Sequence, residues 1–339
     1  MGPFRVLVSG ATGDVAQGVL KALERSNLNL KLITTCVFAD SAFLHKGYQS
    51  FLAPYSASEE YLPFLTALCQ HHEIDLFIPT VDSEIGKIAE HRTHLESETG
   101  VRVCVGTPEQ IRVCQSKVAT ADFLKDRGFA YPQTMPAESP DAESFIARLG
   151  FPIVAKPKQG RGAQDVFVAK DPRDLEAIIG NPRFCLQEWL TDADGEFTTG
   201  LYLGDDGQVK GVCTLERELK GGSTFKARRV VAPELERPLE EMAKKLGLKY
   251  VNIQSRKVGD RLVPFEFNGR FSGTTGIVSR VFNGPEMLVR EWLMNEAVPR
   301  VESTEEFVAM RYYEEVFTTP QAILDLKERS LPFVPSRPL

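Results

Sequence analysis

The sequence predicts an α/β domain with a parallel sheet, followed by an α+β unit with antiparallel sheets. Over residues 4–112, short apolar segments alternate with amphipathic ones, as in a doubly wound sheet with crossover helices. After a hinge predicted at 106–108, strand-like segments follow one another with few helices between them, which indicates antiparallel pairing. The chain has 339 residues, 42% of them hydrophobic, which is enough for two or three packed units rather than one core.

The first domain is predicted to alternate strands and helices. Its strands are expected at 5–9, 32–38, 76–79 and 102–105, and its helices at 15–25, 59–71 and 85–94. In the first helix Val15, Val19 and Leu23 share one face, which would pack on the sheet.

A glycine turn at 10–13 connects the first strand to the first helix, and Asp40 follows the second strand. Dinucleotide-binding domains carry a phosphate-binding turn and a ribose-binding acid at such positions, so an NAD(P)-dependent oxidoreductase is one alternative for the function. However, Gly10, Gly13 and Gly18 do not fit the spacing G-x-G-x-x-G, and a tight turn against a helix needs small residues even without a cofactor.

The second part is predicted to form a small lobe at 113–186 and a larger lobe after it. The small lobe would contain a helix at 117–127, strands at 151–157 and 166–169 with a glycine-rich turn at 160–163, and a short helix at 171–179. The larger lobe would contain strands at 184–188, 196–203, 209–216, 251–258 and 262–268, with helices at 233–246 and 284–295. The tail from Thr318 contains prolines and charges and is predicted to be loosely held.

Composition argues against several classes of function. A net charge of -6 and a pI near 5.6 disfavour nucleic acid or an anionic membrane as the main partner. No apolar run reaches the length of a transmembrane helix and no signal-peptide pattern is present, so a cytoplasmic protein is expected. The six cysteines and five histidines show no zinc-ligand spacing, which favours reduced thiols and disfavours a zinc enzyme.

The segment 265–270 has the most informative pattern in the chain. Because alternate side chains of a strand share a face, Glu266, Asn268 and Arg270 point one way, and the phenylalanines between them point to a core. Carboxylate and amide oxygens suit Mg²⁺, which completes its octahedron with phosphate oxygens and water, and arginine suits phosphate or carboxylate. Taken alone, these residues would also fit a solvated strand face.

Gln254 lies on the preceding predicted strand, and whether it joins this site depends on the hairpin register. If 259–261 forms a three-residue turn, or the hairpin contains a bulge, Gln254 lies opposite Glu266 and both reach one metal ion. A two-residue turn without a bulge would place Gln254 on the other face. We predict the odd-length turn or the bulge.

Polar residues upstream complete a candidate nucleotide site. Lys117 opens a helix and Lys156 lies in an apolar strand, where cations would hold phosphates, although Lys156 also fits an edge strand from which it reaches water. Gly162, in the glycine-rich turn, would direct N–H groups at phosphates, or belong to an ordinary hairpin turn. The segment 187–190 would offer backbone groups and apolar cover to adenine, and Glu196 would accept the ribose hydroxyls. Taken alone, Glu196 would also fit an exposed glutamate beside a turn predicted at 192–195.

Taken in chain order, these residues resemble the motif set of one superfamily. The order Lys117, Lys156, Glu188-x-Leu190, Glu196, Gln254, Glu266-x-Asn268-x-Arg270 is similar to that of ATP-grasp enzymes, most closely the carbamoyl-phosphate-synthase-like carboxylate–amine ligases. The resemblance covers about residues 4–315. It implies a Rossmann-like, pre-ATP-grasp domain at 1–112 and a two-lobed ATP-grasp domain, with the small lobe at 113–186, the large lobe with the metal site at 187–317 and a tail at 318–339.

The resemblance also implies roles for individual residues. ATP would contact Lys117, Lys156, Gly162, Gln187, Glu188, Trp189, Leu190 and Glu196. Gln254 and Glu266 would hold one Mg²⁺ ion, and Glu266 and Asn268 a second, with Mn²⁺ as an alternative metal. Gln254 brings one negative charge fewer than a glutamate would. Arg270 would face the transferred phosphoryl group, and a flexible loop at 217–223 would supply Arg217 and Lys220 as further catalytic residues.

The reaction implied is ATP-dependent activation of a carboxylate as an acyl phosphate, followed by attack of an amine and release of ADP and phosphate. A relative that phosphorylates a small acid or carbamate without ligation is an alternative. The partners expected are a small-molecule carboxylate and amine, and a homodimer is a common assembly for this architecture.

Two groups of charged residues bear on the substrate. Arg217, Lys220, Lys226, Arg228 and Arg229 would suit an anionic substrate such as an amino acid, or form a solvated strand face. Asp82 and Glu84 follow the third strand and would hold an ammonium group, unless Glu84 caps the next helix.

Overall fold

Three β-sheets form the framework of the protein. The structure, a computed structural model, describes residues 2–160, 165–191 and 195–333. One sheet is parallel and two are antiparallel, so the chain has the mixed α/β architecture predicted from the sequence.

The N-terminal sheet is parallel and has helical connections. Its strands are β1 (Phe4–Val8), β2 (Leu30–Cys36), β3 (Gln49–Leu52), β4 (Leu76–Ile78) and β5 (Arg102–Val103), and its helices are α1 (Asp14–Glu24), α2 (Tyr61–His71) and α3 (Asp82–Thr99). The strands pair in the order β3-β2-β1-β4-β5. Strand β3 was not predicted, because four residues beside a polar loop give little periodicity.

The middle of the chain forms a small lobe around a four-stranded antiparallel sheet. Its elements are α4 (Pro108–Gln115), α5 (Lys117–Asp126), β6 (Thr134–Pro136), α6 (Ala142–Leu149), β7 (Ile153–Pro157), β8 (Phe167–Ala169) and β9 (Phe184–Glu188). The sheet order is β6-β9-β7-β8. The helix predicted at 171–179 is only a 3₁₀ segment, Pro172–Leu175, since the chain turns back at Gly180, whose N–H donates to Ala137 O.

The third sheet is antiparallel and carries helices α7 (Pro233–Leu246), α8 (Thr275–Val278) and α9 (Gly284–Leu293). Its strands are β10 (Glu196–Leu203), β11 (Val209–Lys220), β12 (Ser223–Val230), β13 (Tyr250–Val258), β14 (Arg261–Asn268) and β15 (Val308–Met310), in the order β14-β13-β10-β11-β12-β15. The flexible loop predicted at 217–223 is instead the end of the β11–β12 hairpin. Gly221 and Gly222 both have positive φ (59° and 79°), as a two-residue hairpin turn requires.

The tail predicted to be loose contains a packed helix, α10 (Pro320–Ser330). Thr319 caps it and Pro320 occupies its first turn, two start signals that the prediction overlooked. Leu326 and Ser330 are buried, and Ser330 Oγ accepts a hydrogen bond of 2.8 Å from Leu52 N at the end of β3. The helix therefore packs against the N-terminal sheet.

The N-terminal unit, helices α4 and α5 and the six-stranded sheet share their hydrophobic cores, whereas the four-stranded sheet of the small lobe has its own. Leu7 and Phe267 belong to one shared cluster, and Val8 and Phe271 to the other. The small lobe's separate cluster is centred on residues such as Ile153. A cleft can therefore open between this lobe and the rest of the molecule. Within the described ranges, no helix is long and apolar enough to cross a membrane.

Candidate active site

A cavity of about 350 Å³ lies between the small lobe and the six-stranded sheet. Of the residues predicted to bind ATP or metal, those lining it are Lys117, Lys156, Gln187, Glu188, Trp189, Leu190, Glu196, Gln254 and Glu266. Gly162 falls outside the described residues. The fold thus gathers into one cleft side chains that belong to both lobes and are far apart in sequence.

The β13–β14 hairpin has the register that a shared metal site needs. Its turn has only two residues, since Val258 pairs with Arg261, but a bulge shifts the register between Gln254 and Ser255. As a result Gln254 lies directly opposite Glu266. The prediction of an odd-length turn or a bulge is confirmed by the bulge.

Next to Glu266 lie an amide group, which could bind a cation through its oxygen, and an ammonium group, which could bind an anion. Glu266 Oε1 accepts a hydrogen bond of 3.3 Å from Asn268 Nδ2, and its Oε2 lies 3.8 Å from Lys117 Nζ. A half-turn of the Asn268 amide would bring its oxygen beside the carboxylate. No group of three His, Cys, Asp or Glu side chains that could hold a metal ion occurs among the described residues. The oxygen donors gathered here are the Glu266 carboxylate and the side-chain amides of Asn268 and Gln254. This all-oxygen set fits Mg²⁺ or Mn²⁺.

The two lysines of the small lobe are both buried. Lys117 Nζ donates to Gly160 O at 2.7 Å, at the edge of the glycine-rich turn. Lys156 Nζ lies 5.6 Å from the centre of the Phe265 ring. Burial lowers the pKa of Lys156 to about 8, and the positive charge of Lys117 adds to this effect. An anion bound between the lysines would favour their charged forms.

The side chains of Gln187 and Glu188 hold the end of β9 in place. Gln187 Nε2 donates to Thr134 Oγ1 at 2.8 Å, and Glu188 Oε2 accepts from Gln133 N at 3.0 Å. These contacts fix the backbone that continues to Leu190 along the cavity wall. The pair therefore acts on the cavity mainly by positioning this segment.

Glu196 is held by two arginines. Its Oε1 accepts from Arg217 Nε at 3.0 Å and Nη2 at 2.6 Å, and its Oε2 accepts from Arg256 Nη2 at 3.1 Å. Arg217 Nη2 also donates to Gln254 Oε1 at 2.8 Å. Arg256 was not predicted as a site residue, although it follows Gln254 by two positions on one strand and therefore shares its face.

A second cavity, of about 600 Å³, adjoins the first at the carboxyl ends of β1, β2 and β4. Arg217, Gln254 and Glu266 line both cavities, whereas Asn268 and Arg270 line only the second. A group bound in the second cavity would therefore lie next to a ligand bound in the first.

Asp82 and Glu84 have structural partners on this second cavity. Asp82 binds Arg270 through two hydrogen bonds, of 2.7 and 2.8 Å, so it positions the guanidinium. Burial would lower the pKa of Arg270, but Asp82 more than offsets this and raises it. Glu84 is buried and caps α3, accepting from Thr80 N and Val81 N at 2.9 and 3.0 Å. The capping interpretation of Glu84 is therefore the one the structure supports.

Most of the predicted basic cluster lies outside the site. Lys226 pairs with Glu218, and Arg228 with Glu216, at the exposed sheet surface. The buried Arg229 binds Ser303. Lys220 is exposed, with its Nζ 5.0 Å from the centre of the Phe225 ring, and it lines neither cavity. Of the five residues, only Arg217 reaches the site.

Comparisons with known proteins agree with this architecture. No protein-family model matches the sequence. The chain is 29% identical over 105 residues to carbamoyl-phosphate synthase of Methanobrevibacter smithii, covering 30% of this chain and 28% of that protein. It is 24% identical over 242 residues to biotin carboxylase of Pseudomonas aeruginosa, covering 63% of this chain and 51% of that protein. The chain thus matches about half or less of the length of these relatives.

Solved structures share the fold over most of the chain. N5-carboxyaminoimidazole synthetase from Staphylococcus aureus, complexed with ADP, has a TM-score of 0.73 at 14% identity and covers 97% of this chain and 86% of its own. The biotin carboxylase domain of Hydrogenobacter thermophilus 2-oxoglutarate carboxylase, solved as a dimer with MgADP and bicarbonate, has a TM-score of 0.67 at 13% identity and covers 92% and 75%. L-amino acid ligase from Bacillus licheniformis has a TM-score of 0.63 at 13% identity and covers 86% and 75%.

Proposed function

We propose an ATP-dependent ligation for this chain, which is a member of the ATP-grasp superfamily and resembles its carbamoyl-phosphate-synthase-like carboxylate–amine ligases. The proposed enzyme activates a small carboxylate, such as that of an amino acid, as an acyl phosphate and joins it to an amine. The observation that carries this proposal is the row of Glu266, Asn268 and Arg270 on β14 at the junction of two cavities, with Gln254 in register beside it.

The first cavity is the proposed ATP site. Lys117, Lys156 and Gly162 would contact the phosphates, the segment 187–190 the adenine, and Glu196 the ribose. Support comes from the burial of both lysines between the sheets and from the nucleotide complexes of proteins with this fold. The Glu196 carboxylate already accepts hydrogen bonds from Arg217 and Arg256, so it would bind the ribose hydroxyls in addition to these two arginines.

The proposed metal ligands are Gln254, Glu266 and Asn268. Two Mg²⁺ ions, or Mn²⁺ in their place, would neutralise phosphate charge when bound. Glu266 is well placed to serve both, since it lies between the two amide side chains.

The second cavity is the proposed carboxylate site. Arg270, held by Asp82, would face the phosphoryl group as a carboxylate oxygen attacks the terminal phosphorus and ADP leaves. The amine would then attack the acyl carbon, phosphate would leave and the nitrogen would lose a proton. Arg217, which lines both cavities, would assist the phosphoryl transfer. Lys220 would act with it from a position farther out, at the end of the β11–β12 hairpin.

The organisation predicted from the sequence is proposed to hold. The strand order β3-β2-β1-β4-β5 supports a Rossmann-like domain at 1–112, and the four-stranded and six-stranded sheets support lobes at about 113–186 and 187–317. Helix α4 crosses the first boundary, and the strand predicted at 184–188 for the larger lobe is β9, which pairs in the four-stranded sheet of the small lobe. Helix α10 lies within the segment 318–339. A homodimer is the proposed assembly, by analogy with the dimeric biotin carboxylase domain.

The N-terminal glycines have packing roles that weaken the oxidoreductase alternative. Gly10 has a φ of 70°, and a Cβ there would overlap Val81 Cγ2. A Cβ on Gly18 would lie 3.1 Å from Gly276 N, where α1 meets α8. Gly10 is therefore required by packing and backbone conformation without any dinucleotide, and Gly18 gives α1 a close approach to α8.

A panel of amino acids as carboxylate and amine donors tests the proposal, with ADP release and mass spectrometry of the products as readouts. We expect ADP and an amide only when a carboxylate and an amine are both present. ADP formation with a carboxylate alone would favour the kinase-like alternative. Formation of AMP and pyrophosphate, or binding of NADH without any ADP release, would overturn the ligase assignment.

A further inference from the structure

Arg217 donates to the atom that the proposed function assigns to a metal ion. Its guanidinium joins Glu196 Oε1, at 2.6 Å from Nη2, to Gln254 Oε1, at 2.8 Å from the same nitrogen. The Arg217 side chain is only 9% exposed, so the contact lies inside the protein and not at its surface.

The register of three strands creates this contact. On β10, Thr198 pairs with Gln254 and Phe197 pairs with Glu216. Since neighbouring residues of a strand point to opposite faces, Arg217, next to Glu216, lies on the same face as Gln254, and the two residues flank the start of β10. Strands β13, β10 and β11 are neighbours in one sheet, so the pairing of the strands, and not only the side-chain rotamers, brings Arg217 close to Gln254.

A cation on Gln254 and the guanidinium would be close neighbours. Mg²⁺ binds oxygen at about 2.1 Å, so a metal on Gln254 Oε1 would lie within about 5 Å of Arg217 Nη2. Gln254 is neutral and cannot offset two positive groups. The carboxylate of Glu196 is already shared between Arg217 and Arg256.

We propose that Arg217 and a divalent cation compete for Gln254 Oε1, so that binding of the metal ion held by Gln254 and Glu266 breaks the contact of Arg217 with Gln254 and directs Arg217 toward the carboxylate cavity. This inference rests on the proposed function. Arg217 lines both cavities, and its redirection requires a change of rotamer that also breaks its two hydrogen bonds to Glu196 Oε1. Arg217 then couples the two cavities: its guanidinium becomes available to an anionic substrate in the second cavity once ATP and its metal ions occupy the first.

Binding of Mn²⁺ in the presence of a non-hydrolysable ATP analogue tests the competition without relying on turnover. Free Mn²⁺ is counted by electron paramagnetic resonance for the wild type and for Arg217→Met and Arg217→Lys. We expect the weaker of the two bound Mn²⁺ ions to bind at least about tenfold tighter in both variants, because neither side chain can fork between Glu196 and Gln254.

Arg256→Met is the matched control. Arg256 also lines the nucleotide cavity and also pairs with Glu196, but the contact with Gln254 is made by Arg217. We expect its effect on Mn²⁺ affinity to be several-fold smaller. Thermal unfolding of each variant establishes that it is folded before titration.

The outcomes separate this inference from the function on which it rests. Unchanged or weaker Mn²⁺ binding in folded Arg217→Met and Arg217→Lys would overturn the competition. Equal tightening in Arg217→Met and Arg256→Met would also overturn it, because the effect would then be one of net charge. If wild-type protein with the ATP analogue binds no Mn²⁺, the proposed function itself fails.

Discussion

The two cavities of the site differ in how their charges are balanced. In the first cavity, the proposed nucleotide site, burial lowers the pKa of Lys156 to about 8, and Lys117 Nζ lies 3.8 Å from Glu266 Oε2. In the second cavity Arg270 is locked to Asp82 by two short hydrogen bonds. The first cavity is therefore prepared to receive negative charge, and the second is prepared to hold a group in a fixed orientation.

Among the substitutions considered, loss of the Glu266 carboxylate should have the largest effect on activity. Glu266→Gln keeps the size of the side chain but removes the carboxylate from the all-oxygen set. Metal-ion stabilisation of a transition state contributes several kcal/mol, so we expect ADP release to fall by at least about 100-fold.

The control for Glu266→Gln is the thermal stability of the variant, which should stay close to that of the wild type. The amide has nearly the same size as the carboxylate, so the exchange leaves no cavity. Turnover within a few-fold of wild type would show that β14 does not carry the metal site.

The ion pair of Arg270 with Asp82 in the second cavity should give the next largest effect when it is broken. In Asp82→Asn the Arg270 side chain, which is 10% exposed, keeps its charge but loses its negatively charged partner. Breaking a fully buried pair costs about 3–5 kcal/mol, and because Asp82 is 30% exposed we expect about 2 kcal/mol less stability in urea unfolding, along with slower turnover.

A matched pair at the surface shows whether this effect comes from burial. Arg112 and Glu109 form a bidentate pair in which both side chains are more than half exposed. Glu109→Gln should leave the urea midpoint unchanged. Similar losses in the two variants would contradict the distinction between a locked and a solvated pair.

The nucleotide cavity should respond to pH through Lys156. Bound phosphate favours the ammonium form, and that form is lost as the pH rises through about 8. We therefore expect ADP affinity to be flat below about pH 7 and to fall above pH 8, by at most about tenfold per pH unit. Isothermal titration calorimetry in buffers of different ionisation enthalpy should show proton uptake on binding near pH 8.

Lys156→Arg is the control for this pH dependence, because arginine stays protonated over the whole range. The variant should bind ADP with little change between pH 7 and 9. If the loss of affinity persists in it, another group titrates and the assignment of the effect to Lys156 is wrong.

The sequence could predict the strand face of the site but not its charge partners. The alternation of Glu266, Asn268 and Arg270 follows from strand geometry and needs no tertiary information. The contact of Arg270 with Asp82 joins residues 188 positions apart, and depends on how the N-terminal unit packs on β14. The prediction for Gln254 left open whether the turn or a bulge would set the register, since local propensity does not decide between them.

The hairpin end offers the smallest expected effect and a direct contrast with Arg217. The exposed Lys220 lines neither cavity, whereas Arg217, three residues earlier on the same strand, lines both. Lys220→Ala should change ADP release by less than about fivefold, because an exposed charge contributes at most about 1 kcal/mol. Arg217→Ala should reduce it far more. A large loss in Lys220→Ala would mean that the β11–β12 hairpin closes over the substrate and carries Lys220 into the second cavity.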